Sequence, residues 1–529
     1  MEDHHGPADR MARGVKMKKI LCFILCLVLP VVLCGCEQSN IRTENAAETL
    51  PPALTTYTAP DGDEEIVDEL TGTIYLPSAD GLHLLGRQVR IIPTGSESDY
   101  AMLLVKALTE AEADQQTTRP GGETALQLNG NDPVEVSNGV CTVNLASSAL
   151  QLESSELYTA GLAIAATLCE LDEIQYVNIL VADQAVGMDI MGNLAMGSLN
   201  SHVGEELTVL WEQTDAKKTP LGEDPAMSPF SSVATVYFPL EDGSGIMPET
   251  RTLAFSGQSP QIMAQTLLNA MSSGSSYLRG IPEMPELASL QVHVPLVNEL
   301  DDGGRLITLS FTEDFESRLN DAGIDPGCMI AAVVYTLTTY IPGVTALNIR
   351  IGDNLLTSLY HPEHGSTLFP GGIQKRNQLS DYLVTRKTLM LTDGTMLVPT
   401  ARALPRKNAG TPRTVLQALM KGPSELETAA GILPSLPDGL DDSDILGIAM
   451  DGDTVLINLS ERFAQKIIEF GPEHEQTVCY SIVNTLCQNS GAKYVYFFFD
   501  GQQRESLAGQ MYWSGQFIFN PGMNVENAG

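Results

Sequence analysis

Along this chain apolar and polar positions repeat one order three times, and the middle block shows it most plainly. Val236-Tyr237-Phe238 reads as a strand, followed by an acidic turn and Arg251. Residues 260–271 carry apolar side chains at helical spacing behind Ser259-Pro260. Such a pair starts helices, because Ser accepts from the first free N–H groups and Pro in the first turn sacrifices no hydrogen bond. Asp301-Asp302-Gly303-Gly304 reads as a hairpin turn into a strand at 306–311. An apolar helix at 329–340 stops before Pro342, and a last strand at 347–351 runs into Gly352-Asp353.

The first block predicts strands at 73–76 and 84–92 around Asp80-Gly81, and a helix at 99–113 with Met102, Leu103, Leu104, Ala107 and Leu108 on its apolar stripe. A hairpin at 134–145 turns on Asn138-Gly139, a pair that tolerates the left-handed backbone of a tight turn. A helix at 157–171 and a strand at 175–182 complete it. The third block predicts strands at 388–391 and 397–404 around Asp393-Gly394. Its helix at 413–420 begins at Thr411-Pro412 and ends at Gly422-Pro423. Asp451-Gly452 turns into a strand at 455–460, and a helix at 475–487 and a strand at 494–499 follow.

Each block reads ββαββαβ, an α+β unit with two helices on one face of a small mixed or antiparallel sheet. The expected units span 70–200, the most divergent, then 233–373 and 387–522, with linkers at 201–232 and 374–386 and a tail at 523–529. Spacing supports the repeat more firmly than identity does. Arg87, Arg251 and Arg402 precede Asn144, Thr308 and Asn458 by 57, 57 and 56 residues. Thr167, Thr336 and Thr485 each lie in the apolar helix and precede Asp183, Asp353 and Asp500 by 15 to 17 residues. Insertions fall in loops, so a shared architecture keeps such intervals.

The first 35 residues form a targeting segment. Lys16, Lys18 and Lys19 precede an apolar run at 20–33, short for a membrane span and suited to a signal peptide. Leu33-Cys34-Gly35-Cys36 resembles a bacterial lipobox, which implies cleavage before Cys36 and lipidation of its thiol, holding the protein at the outer face of the cytoplasmic membrane. Met1, Met11 and Met17 are all usable starts. Residues 36–69 are acidic and rich in Thr, Pro and Ala, and read as a flexible stalk.

A net charge of −36 opposes binding to nucleic acid, whose phosphates require Lys and Arg. Beyond Cys36 the five cysteines Cys141, Cys169, Cys328, Cys479 and Cys487 contain no CxxC pair and read as buried small apolar residues.

In their order these features resemble the GerM domain of bacterial spore-formation and germination lipoproteins. The third unit carries Arg402, Gly422-Pro423, Asn458-Leu459-Ser460, Phe463, Thr485-Leu486 and Asp500-Gly501. The second carries Tyr237-Phe238, Arg251, Ile281-Pro282, Leu309-Ser310, Phe315, Thr336-Leu337 and Asp353, with Ser273-Gly274 replacing the Gly-Pro pair. The resemblance implies a non-enzymatic, envelope-attached scaffold related to ring-building modules, without cofactor, acting in sporulation or germination. Its partners would be envelope or sporulation-complex proteins, self-association included. In a spore former it would sit between mother cell and forespore. The alternative is a peptidoglycan-binding lipoprotein that modulates a wall hydrolase outside sporulation. That role calls for an exposed aromatic groove, and the chain has two tryptophans, Trp211 and Trp513.

Candidate chemistry is sparse. No nucleophile elbow, P-loop, HExxH or dinucleotide glycine motif is present, and no catalytic residue is assigned. His361-Pro362-Glu363-His364 is the nearest approach to a metal pair, but Pro362 and Gly365 oppose a helix there, and no metal site is assigned. The acidic residues of Pro472-Glu473-His474-Glu475 suit a helix N-terminus. Arg87, Arg251 and Arg402 are the candidate ion-pair or partner-contact positions, with protection of a sheet edge as the alternative.

Overall fold

The computed structural model describes residues 57–525 apart from 67–69, 93–96, 190, 215–226, 301–303, 362–364 and 410. The signal segment, the start methionines, Cys36, most of the acidic lead, Lys217 to Pro225 of the first linker, Asp301-Asp302-Gly303 and Pro362-Glu363-His364 lie outside these residues.

The first unit begins with a hairpin of β2 (Leu70–Pro77) and β3 (Leu84–Ile91), after a short β1 (Glu64–Ile66). Helix α1 (Glu97–Glu110) leads to β4 (Val134–Ser137) and β5 (Gly139–Leu145). Helix α2 (Ser154–Leu168) then crosses to β6 (Ile174–Val181), and β7 (Gln184–Ala185) ends the sheet. The second unit repeats this with β8 (Phe230–Pro239), β9 (Ile246–Phe255), α4 (Pro260–Ser272), β10 (Leu296–Glu299) and β11 (Arg305–Phe311). It continues through α5 (Phe315–Asp321), α6 (Pro326–Tyr340), β12 (Val344–Ile351) and β13 (Asn354–Leu355), then adds a hairpin of β14 (Ser358–His361) and β15 (Gly365–Leu368). Between these units, α3 (Leu207–Gln213) lies in the expected linker. The third unit comprises β16 (Val384–Thr392), β17 (Leu397–Pro405), α7 (Pro412–Met420), β18 (Ile445–Asp451) and β19 (Thr454–Leu459). Helices α8 (Glu461–Phe470) and α9 (Glu475–Ser490) and strands β20 (Tyr494–Phe499) and β21 (Phe517–Ile518) complete it.

The α+β, three-unit architecture agrees with the sequence pattern, but the strands of each unit divide between two sheets. One is the initial two-stranded hairpin. The other has the order β4-β5-β6-β7, β10-β11-β12-β13 or β1-β18-β19-β20-β21. The strands on either side of the long helix, β5 and β6, β11 and β12, β19 and β20, are parallel because that helix connects them, while the pairs β4–β5, β10–β11 and β18–β19 are antiparallel. Helices α5 and α8 were not anticipated. Ser460 caps α8 by accepting from the Phe463 amide at 3.0 Å, and Phe463 enters the core.

One hydrogen bond recurs in all three units. The hairpin's first strand has one edge paired and turns the other to the long helix. There the amides of Tyr75, Tyr237 and Met390 each donate 2.9 Å to Thr167, Thr336 and Thr485 Oγ1. The three threonines are fully buried. A buried N–H without a partner is costly, and a hydroxyl one turn inside a helix satisfies it without breaking the helix. Thr167 shows how, since its hydroxyl also donates to Ala163 O at 2.8 Å.

The structure also sets the equivalences. Ala182, Gly352 and Asp500 donate their amides to Leu145, Phe311 and Leu459 carbonyls, so Asp183 and Asp353 match Gly501, with Asp500 one place earlier. Asn144 and Asn458 match Ser310, not Thr308, because the interval from the arginine to this position is 59 residues in the second unit against 57 in the first and 56 in the third. Asn144 and Asn458 brace the turn after the last strand: Asn144 Nδ2 donates to Asp183 at 2.7 Å, and Gly501 N donates to Asn458 Oδ1 at 2.9 Å.

Two expected linkers and part of the stalk are built into the fold. Leu207 and Leu210 of α3 join the first unit's core, and Trp211 packs on Tyr158 with ring centroids 5.7 Å apart. Gln374, Arg376, Leu379 and Tyr382 are buried, Leu379 and Tyr382 in the second unit's core and Arg376 against Glu135 of the first unit. Residues 57–66, expected in the flexible stalk, lie on the third unit. Tyr57 stacks on Tyr496 at 4.7 Å, Pro60 O accepts from Asn458 Nδ2 at 3.0 Å, and β1 pairs in parallel with β18. Asp63 binds Arg413 through two contacts of 2.5 and 2.7 Å. Gly447 permits the crossing, since a Cβ there would lie 2.4 Å from Gly62 O.

Replacing Thr336 by Val keeps the shape but strands the Tyr237 amide. The expected loss is about 1–3 kcal/mol, read by denaturant unfolding, with Thr336→Ser close to wild type.

Candidate functional site: the junction between units

The Asn138-Gly139 turn, with φ of 45° and 81°, forms the point at which the three units meet. Ser137 Oγ donates to Val384 O at 2.6 Å, and Asn138 Nδ2 donates to Pro248 O at 3.3 Å. The hairpin of the first unit thereby touches the first strands of the third unit and the second strand of the second.

Arg376 closes this junction. Its Nε donates to Glu135 Oε2 at 3.0 Å, and its remaining nitrogens reach Glu135, Thr339 and Tyr237 Oη. The guanidinium also lies 4.0 Å from the Tyr335 ring centroid. Burial alone would pull its pKa down, but Glu135 together with the Tyr237 and Tyr335 hydroxyls outweighs this and holds the cation above its ordinary value. Beside it, Arg406 of the third unit bonds Asp132 and, at 3.3 Å, Val134 O in the first. First and second units share a further buried set. Ser198 Oγ donates to Asn178 Oδ1 at 2.7 Å and lies 2.9 Å from Thr235 Oγ1, while Ser198 N donates to Val233 O.

A cavity of about 230 Å³ opens here, lined by Asp132, Glu135, Asn144, Asp183, Lys375 and Arg376 among others. Asp132 and Glu135 are taken by Arg406 and Arg376, and Asp183 by Asn144. The carboxylates here serve pairing, and none is positioned with a nucleophile or an unpaired base.

The three repeated arginines are used within their own units, each at the C-terminus of the unit's first helix. Arg87 donates to Glu112 O at 3.0 Å and pairs with Asp114 at 2.5 Å. Arg251 donates to Ala270 O at 3.1 Å and to Gly274 O, and pairs with Glu249 at 2.6 Å. Arg402 donates to Gly422 O at 3.2 Å and pairs with Glu427 at 2.5 Å. A cation there satisfies free carbonyls and opposes the negative end of the helix dipole. Sequence spacing located these residues but not this use, because the carbonyls they reach carry no side-chain signal.

Glu475 is likewise structural. It is fully buried and accepts from Ala508 N at 3.0 Å, Gln510 N at 2.6 Å, Met511 N at 3.1 Å and the Trp513 indole at 2.7 Å. Trp513 is fully buried against Phe497 and Phe499.

On the outer side of the second unit, β10 is the end strand of its sheet, and among the described residues no strand pairs with its free edge. Val292, Val294 and Leu296, on or just before β10, are 50%, 70% and 55% exposed. The equivalent edge of the third unit is β18, which β1 covers.

These features define a tandem α+β protein whose three units are joined by a largely buried Arg376–Glu135 pair and a half-exposed Arg406–Asp132 pair. A family model described as "Sporulation and spore germination", named Germane, matches residues 73–187, 235–357 and 382–505. The matches cover more than half of the chain, and the chain belongs to this family. The tandem GerMN domains of the sporulation protein GerM from Bacillus subtilis match at 14% identity and a TM-score of 0.20, over 54% of this chain and 91% of that one. The first GerMN domain of that protein matches at 20% identity and a TM-score of 0.22, over 26% and 98%. A putative lipoprotein from Clostridium perfringens matches at 17% identity and a TM-score of 0.17, over 26% and 91%. No curated protein matches this chain.

Truncating Arg376 to Met leaves Glu135 buried without its cation. The expected cost is about 3–5 kcal/mol, seen in denaturant unfolding as earlier loss of the first unit. Glu475 yields a pH prediction. Burial raises its pKa, but the converging N–H donors outweigh this and leave it below the ordinary carboxylate range. A depressed folded pKa stabilises above the unfolded value of about 4.3, and the gain disappears as pH falls through the folded value. Glu475→Gln should weaken the third unit at neutral pH and flatten this acid limb, measured by Trp513 fluorescence against pH.

Proposed function

We propose that this protein is a lipid-anchored envelope scaffold without catalytic activity, which serves sporulation or germination by assembling with other envelope proteins. Cys36 carries the anchor at the outer face of the cytoplasmic membrane. In a spore-forming host the protein works in the space between mother cell and forespore.

The observation that carries this reading is the use made of polar groups. The buried charges at the junction bind unit to unit, and the repeated arginines bind helix ends. A rigid body remains, with an exposed apolar strand edge on its second unit. An edge of this kind invites strand addition or face-to-face packing by a partner protein. The wall-binding alternative receives less support, because Trp211 packs on Tyr158 and Trp513 is fully buried.

The test is a fluorescent fusion behind the intact lead sequence in the native host. Appearance at the onset of sporulation, around the forespore, is expected. Uniform envelope signal in growing cells would overturn the sporulation role. Cys36→Ala should move the protein to the soluble fraction. Val294→Asp should leave it in the membrane fraction but disperse its localisation.

A further inference from the structure

We propose that the second unit holds a divalent transition-metal ion of the zinc class, bound by Asp325, Cys328 and His361. The three come from separate parts of that unit. Asp325 caps α6, with Oδ1 accepting from the Cys328 amide at 2.8 Å. Cys328 sits in the first turn of α6 and is fully buried. His361 ends β14 and is 3% exposed. One carboxylate oxygen, the thiol sulfur and one imidazole nitrogen all lie within 4.8 Å of one another.

The chemistry of the donors favours this ion. Thiolate, imidazole and carboxylate together match the mixed donor set of tetrahedral zinc, in which neighbouring ligand atoms stand roughly 3.5 Å apart. His361 Nε2 and Cys328 Sγ both contact Gly243 O of the β8–β9 turn, at 2.9 and 3.4 Å, which holds the two side chains side by side. Water would complete a tetrahedral set around an ion held by the three side chains.

Such an ion would be structural. It would fasten the β14–β15 hairpin to the start of α6. Among the described residues the other units have no counterpart of that hairpin to fasten. The third helical position of α2 is Glu156 and that of α9 is Thr477. The His361/His364 pairing considered from sequence is replaced by a grouping that spans 33 and 36 residues. This inference stands apart from the proposed envelope role.

The experiment is titration of Co²⁺ into the purified, chelator-treated chain, followed by absorption spectroscopy. Wild type should develop a thiolate-to-cobalt charge-transfer band with strong tetrahedral visible bands, saturating at one ion per chain and bleached by Zn²⁺. Cys328→Ser and His361→Gln should abolish the charge-transfer band and the tetrahedral pattern respectively, whereas Cys479→Ser should retain both. Asp325→Asn preserves the helix cap but removes the charged ligand, so it should weaken cobalt binding while circular dichroism stays unchanged. This variant keeps the test open if Cys328→Ser fails to fold. No charge-transfer band in wild type, or an unaltered spectrum in Cys328→Ser or Asp325→Asn, would overturn the site.

Discussion

A guanidinium removed from water must find its counter-charge nearby, and Arg376 finds it in another unit. Glu135 is 241 residues earlier in the chain, and the two side chains are 9% and 13% exposed. A buried ion pair of this kind adds little net stability over an apolar contact of the same shape, but its rupture is expensive, so it fixes one arrangement against others. Arg376 also presses on Tyr335 and Tyr237 of the second unit. One side chain thereby holds first unit, second unit and the approach to the third in a single register. The Asn138 turn and the Arg406–Asp132 pair act at the same place.

Within each unit a smaller constraint of the same kind applies. The opening hairpin forms a two-stranded sheet of its own, and its inner edge would bury bare N–H groups against the long helix. Threonine resolves the conflict: its methyl group belongs to the core and its hydroxyl to the strand. Each of the long helices thus places a buried threonine hydroxyl, that of Thr167, Thr336 or Thr485, where the strand backbone requires a partner.

The chain's repeat was legible because these helices carry long apolar runs and because turn pairs such as Asn138-Gly139 admit few conformations. The recurring threonines and arginines were legible as intervals. Their partners were not, since main-chain amides and carbonyls leave no mark in a sequence. Thr308 was matched in place of Ser310 because the interval from Arg251 stretched by two residues while the strand itself did not. The polar composition of residues 374–386 suggested a linker, yet Arg376 is buried by an acid that only the tertiary fold brings near. Acidic, Pro- and Gly-containing residues 57–66 misled for a similar reason: Asp63 suits a solvated stalk until Arg413 is placed beside it. The cluster of Asp325, Cys328 and His361 had no local pattern to reveal it.

The docked segment at 57–66 has a mechanical consequence. The chain ahead of Tyr57 meets the folded body at its last unit, not its first. Tension applied through that lead falls first on the Tyr57 and Pro60 contacts, then on the Asp63–Arg413 pair and the β1–β18 pairing. The first unit is relieved of the load. The described body thus behaves as a buckled belt, with its first and last strands, β1 and β21, in the same sheet and the remaining units held in the loop between them.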